Sequence, residues 1–125
     1  MPEATVAVAG GDFTFDARAL DALITARWPG RRYVEIVGGR RARSLAGQYQ
    51  IAADDGAPLV VDVERTGRAL DVSASDAALA AEFVAAVTTL PGFPSDGSVV
   101  VAEWNDAVIA LEPQTRASAL LDQLS

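Results

Sequence analysis

Apolar and polar residues alternate on both sides of three two-residue turns. Around Gly10-Gly11, folding the chain back sets Val6 and Val8 opposite Phe15 and Phe13. Around Thr66-Gly67, Val63 meets Leu70 and Val61 meets Val72. Around Asn105-Asp106, Trp104 meets Ala107, Ala102 meets Ile109 and Val100 meets Leu111. Short loops of glycine or Asn-Asp suit the primed turns whose twist matches paired strands. A slip of one residue would turn each apolar set to the other face, so the alternation also specifies register. The pattern therefore predicts three hairpins.

Between the hairpins the spacing changes to that of helices. Leu20, Ile24 and Trp28, with Leu23 beside them, predict a helix over 16–28, capped by Asp16 and stopped by Pro29-Gly30. Leu79, Phe83, Val87 and Leu90 predict a second over 76–90, capped by Ser75 and stopped by Pro91-Gly92. A short closing helix follows Pro113, with Leu120, Leu121 and Leu124 on one side. Tyr33–Val37 and Gln48–Ala52 read as strands. The order hairpin, helix, Pro-Gly stop and strand pair runs over 5–52 and again over 59–111, joined at 54–58. It is either a ββαββ duplication or a common way of building an antiparallel sheet. Both readings predict one α+β domain over 1–125, a two-layer sandwich with helices on one face of a mostly antiparallel sheet. Phe13, Leu20, Ile24, Val61, Val63, Leu70, Phe83, Val87 and Ile109 are its expected core.

Composition narrows the chemistry. The 125 residues are 50% hydrophobic, enough for a core without staples, and include no cysteine and no histidine. That removes thiol nucleophiles, imidazole bases and transition-metal sites built on sulfur or imidazole. The remaining carboxylates are scattered, with no evident general acid–base pair and no calcium-loop spacing. An enzyme is not expected, nor a metal or a cofactor. No apolar run approaches the roughly 20 residues of a membrane helix, and Met1–Thr5 carry no basic n-region or apolar h-region. The expected setting is cytoplasmic, without membrane attachment.

Charge is uneven. The net −7 divides into +2 over residues 1–45 and −9 over 46–125. A field of that sign repels nucleic acid over most of the surface and favours a basic partner. Asp62 and Glu64 alternate with apolar residues along one strand, and Glu103, Trp104 and Asp106 crowd the third turn. An aromatic side chain among acids is a natural anchor for a basic partner, although tryptophan beside a turn also packs across its own hairpin. All ten basic residues are arginine, and six of them fall in the seventeen residues from Arg27 to Arg43. The loop Gly38–Ser44, with Arg40, Arg41 and Arg43, could hold phosphate or carboxylate, but its spacing is not that of a phosphate-binding loop.

The layout resembles that of small acidic α+β proteins of GC-rich bacteria that act as immunity partners of polymorphic toxins. The resemblance rests on an early helix ending in Arg27-Trp28-Pro29-Gly30, a helix around Leu79-Ala80-Ala81-Glu82-Phe83, and a late hairpin from Val99 to Glu112. It implies a cytoplasmic inhibitor that occludes a toxin, often a basic nuclease, through an acidic surface. It transfers no individual residue. The expected function is accordingly a protein-binding module with Asp62, Glu64, Glu103, Trp104 and Asp106 at the interface. A phage-type inhibitor mimicking nucleic-acid charge would share these features. The alternative from another class is a binder of small anions or nucleotides through Arg40, Arg41 and Arg43.

Overall fold

The computed structural model describes residues 3–39, 43–52, 56, 58–104 and 107–124, without the side chains of 103, 104, 107, 123 and 124. Seven strands form one antiparallel sheet: β1 (Glu3–Val8), β2 (Arg32–Glu35), β3 (Leu45–Ala52), β4 (Pro58–Glu64), β5 (Ala69–Ala74), β6 (Val99–Trp104) and β7 (Ala107–Ala110). Their spatial order is β2-β3-β4-β5-β1-β6-β7. Three helices, α1 (Ala17–Arg27), α2 (Ala77–Val87) and α3 (Ala117–Leu124), cover one face. The architecture is the expected two-layer α+β sandwich.

Alternation decides which face is covered. Ala4 and Val6 of β1, Tyr49 and Ile51 of β3, Leu59 and Val61 of β4, Leu70 and Val72 of β5, and Val99 and Val101 of β6 are buried beneath the helices. Helix α2 supplies Leu79, Ala80, Ala81, Phe83, Val84 and Val87 to the same core. Its small alanines let it lie close to the sheet, and α3 packs along it through the fully buried Leu120. Helix α1 contributes Leu20 and Ile24, and the Trp28 ring stacks on Phe83 at 5.8 Å. Six of the nine expected core residues are buried; Phe13, Val63 and Ile109 are partly buried against them.

The second hairpin has the expected register, with Val63 opposite Leu70 and Val61 opposite Val72. Gly67 turns it in a left-handed conformation, φ +72°, that side chains rarely adopt. The third hairpin departs by one residue. Trp104 does face Ala107, but an irregularity between Val101 and Trp104 sets Val101, not Ala102, against Ile109 and Val100 against Ala110. The run Val99-Val100-Val101-Ala102 is apolar at every position, so alternation could not choose its buried side. A bulge chose it instead.

The first hairpin does not form. β1 pairs with β5 on one side, Val6 opposite Leu70, and with β6 on the other, Val6 opposite Val101. Phe13 and Phe15 lie in the following loop, edge-on to each other at 5.4 Å, and Phe13 also meets Phe93 at 5.6 Å. Two long apolar neighbours bury more of β1 than a local hairpin would, which outweighs the turn signal of Gly10-Gly11. As a result the first half of the chain holds three strands and the second four. The helices begin and end where side chains meet orphaned backbone groups. Asp16 accepts from the Ala19 N–H, and Asp76, one residue after the expected Ser75, accepts from the Leu79 N–H at 2.8 Å. α2 stops at Val87, where the Thr88 and Thr89 hydroxyls turn back onto the carbonyls of Ala85 and Ala86.

Candidate partner-binding face

The sheet face away from the helices carries the residues that alternate with the core. They include Glu3, Thr5 and Ala7 of β1, Gln48 and Gln50 of β3, Val60, Asp62 and Glu64 of β4, and Asp71 and Ser73 of β5. Register lines them up. Gln48 stands opposite Asp62, Asp62 opposite Asp71, and Asp71 opposite Thr5. Hydrogen bonds follow the same line. Gln50 Nε2 donates to Gln48 Oε1, Gln48 Nε2 donates to Asp62 Oδ1 at 2.8 Å, and the Thr5 hydroxyl donates to Asp71 Oδ1 at 2.9 Å.

Two carboxylates directly opposite each other on neighbouring strands repel, a cost of some tenths of a kcal/mol. Here each carboxylate is hydrogen-bonded from its outer side, which offsets part of that cost. Glu3, Asp62 and Asp71, with the hydroxyls of Thr5 and Ser73, line a depression of about 170 Å³. It is a place where negative charge converges on the open face. A cation brought there would meet carboxylates already oriented by their neighbours.

The interface residues expected from sequence are only partly brought together. Asp62 and Glu64 share one strand and one face. Glu103 and Trp104 belong to β6, separated from β4 by β5 and β1, about 14 Å at ordinary strand spacing. Asp106, Arg40 and Arg41 lie outside the described residues. Sequence reasoning missed Asp71 and Glu3. The signal for Asp71 was present, since pairing Val61 with Val72 and Val63 with Leu70 necessarily sets Asp62 against Asp71. Glu3 carried no such signal, because it reaches this face only through the long-range pairing of β1.

The arginine-rich stretch is dispersed by the fold. Arg27 pairs with Glu82 of α2. Arg31 pairs with Asp21 at 3.1 Å and donates through Nε to the Thr25 hydroxyl. Arg32 and Arg43 are exposed. Arg27 and Arg31 are thus held by the protein's own acids, and of the three arginines expected to hold a small anion, Arg40, Arg41 and Arg43, only Arg43 is among the described residues. A second hollow, about 550 Å³, lies between the helices, with Leu23, Ala85, Ala86 and Ala117 below the Arg27–Glu82 pair. Among the described residues no group of three or more acids is placed to hold a metal ion. No helix of the described residues is long and apolar enough to cross a membrane.

Asp21 also accepts from the Tyr49 hydroxyl at 2.9 Å, tying β3 to α1, while the Tyr33 and Tyr49 rings lie 4.7 Å apart. Burial, then the hydrogen bond and charge of Asp21, raise the Tyr49 phenol well above its ordinary value. A raised value means that the unfolded chain loses this proton first. The stabilisation is therefore complete below about pH 10, the ordinary tyrosine value, and declines as pH rises beyond it. Denaturant titrations from pH 8 to 11 should show stability falling above pH 10, and Tyr49→Phe should make that fall shallower. An identical slope in the variant would remove Tyr49 as its source.

No protein-family model matches the chain. Nor does a curated protein or a solved structure show significant similarity to it. What the chain binds or does must therefore be argued from its own surface.

Proposed function

We propose that this is a protein-binding module whose open sheet face receives a basic partner, and more specifically an immunity-type inhibitor that occludes a basic toxin or effector in the cytoplasm. One observation carries the reading. Four carboxylates, those of Glu3, Asp62, Glu64 and Asp71, occupy the uncovered face of β1, β4 and β5, and no strand position on that face from β3 to β6 is an arginine. The net charge of −7 adds a long-range field of the same sign. Such a surface accelerates encounter with a basic partner and penalises acidic ones.

The test begins with the partner captured from the native host, identified by mass spectrometry and purified. Wild type should associate with it more slowly as salt is raised, because screening shortens the reach of the field. The double variant Asp62→Arg/Asp71→Arg should lower the association rate at least tenfold and change the dissociation rate less. If the charge-reversed protein binds within about threefold of wild type, under ~0.7 kcal/mol, the acidic face is not the interface. A toxin inactivated by wild type and left active by the double variant would give the immunity reading its functional support.

A further inference from the structure

The helices cover the sheet face opposite the acidic one, and their outer surface is not flat. The hollow between them holds about 550 Å³, within the range of sites that take small organic molecules, about 300–1,000 Å³. Alanines create it. Glu82, Ala85 and Ala86 share one stripe of α2, at i, i+3 and i+4. Ala85 and Ala86 are too short to fill the space between Leu23 of α1 and Ala117 of α3, so these four half-buried side chains form an apolar floor. They offer water no hydrogen bond, and an apolar group that displaces such water gains affinity.

The rim is charged, with a sign opposite to that of the chain. Arg27, Arg116 and Glu82 line the hollow, two cations against one anion in a protein of net −7. Arg27 is taken by Glu82. Arg116 is exposed, and among the described residues no ion pair or hydrogen bond engages its guanidinium. An uncommitted guanidinium beside an apolar floor is complementary to a carboxylate with an apolar tail, because its fork matches both oxygens.

The turn leading to Arg116 is strained. Gln114 has φ +60°, and among the described residues no other side-chain-bearing residue lies in the left-handed region. Pro113 precedes it and the Thr115 N–H donates to the Glu112 carbonyl at 3.2 Å, a turn whose third position ordinarily falls to glycine. Glutamine is the more strained choice. Yet Gln114 lines the hollow, and its side-chain amide has no internal partner among the described residues. Its backbone N–H donates to the Thr88 carbonyl, which holds the turn against the end of α2.

We propose that this hollow binds a small amphipathic carboxylate of the medium-chain fatty acid class. The Arg116 guanidinium and the Gln114 side-chain N–H hold the carboxylate, and the tail lies over Leu23, Ala85, Ala86 and Ala117. From Glu82 to Thr89 the floor runs about 10 Å at the helical rise, which sets the tail near about eight carbons. Arg116 repels an ammonium group in the same place, and a neutral head forgoes the charge-assisted bonds. The hollow is open on one side, so binding is weak, with Kd on the order of 100 μM for a ligand of this size.

Octanoate titrated at neutral pH into the isotopically labelled full chain tests this by NMR, with octylammonium, octanol and acetate as comparisons. Octanoate should shift the methyl signals of the four floor residues saturably and bind at least about fivefold more tightly than the other three, the worth of a charge-assisted hydrogen bond. Arg116→Gln should weaken octanoate by at least about fivefold, whereas Arg18→Gln, exposed on α1 outside the hollow, should leave it unchanged. Gln114→Gly relieves the turn, so it should weaken octanoate at least about twofold without lowering Tm. The proposal is overturned if octanoate shifts none of these methyls, or if a comparison compound binds within about fivefold of it. It is overturned equally if Arg116→Gln or Gln114→Gly binds octanoate as wild type does, or if Arg18→Gln weakens it as much as Arg116→Gln.

Discussion

Phe83→Ala should cost about 3–5 kcal/mol of folding stability. The side chain is fully buried at the middle of α2 and stacks on Trp28 at the end of α1. Truncation leaves a cavity that neither sheet nor helix can close, because α2 already lies close to the sheet through its alanines. It also removes an aromatic pair worth about 0.5–1.5 kcal/mol beyond its buried area, already included in that range. Since a domain of this size is held by only about 5–15 kcal/mol, the variant should approach the edge of foldedness at 37 °C. Denaturant unfolding followed by Trp fluorescence measures the loss directly. A cost well under 1 kcal/mol would mean that α2 is not the keystone of the helical layer.

Leu120→Ala should cost about 2–5 kcal/mol, and its effect should be local before it is global. Leu120 is the fully buried side chain by which the eight-residue α3 holds onto α2. An isolated helix of eight residues is not stable in water, so α3 depends on that packing. Hydrogen exchange should therefore show α3 amides losing protection first, with those of β4 and β5 following only near global unfolding. The exposed Ser118→Ala on the same helix should shift stability by less than about 0.5 kcal/mol. Uniform loss of protection across the chain would instead make α3 part of the global folding unit.

Particular residues mark how far the chain can be read without coordinates. The α1 boundaries were legible because an Asp cap and a Pro-Gly stop act within a few residues of the backbone they terminate. The hairpin of β4 and β5 was legible because period-2 alternation and a tight Thr-Gly turn agree. That same register sets Asp62 opposite Asp71. The place of β1 was not legible. Its turn signal is local and points to Phe13, whereas its partners lie some 65 and 95 residues away in the chain. Competition among strands for apolar neighbours is a property of the whole sheet, and no window of sequence contains it. The same limitation hid Glu3 from the open face.

The central position of β1 has a consequence for the order in which the molecule can be completed. Its first six structured residues are made early, yet they are enclosed only when β5 and β6 exist, near residue 104. At synthesis rates of about 5–20 residues per second, that is a wait of several seconds. The nascent strand spends it with both edges unpaired, when a chaperone or another copy of the same strand can reach it first. Once released, the chain must close its longest loops before the middle of the sheet can set, which puts its folding among the slower topologies, milliseconds to seconds. Of the seven strands of this sheet, the first in chain order is thus among the last to be locked.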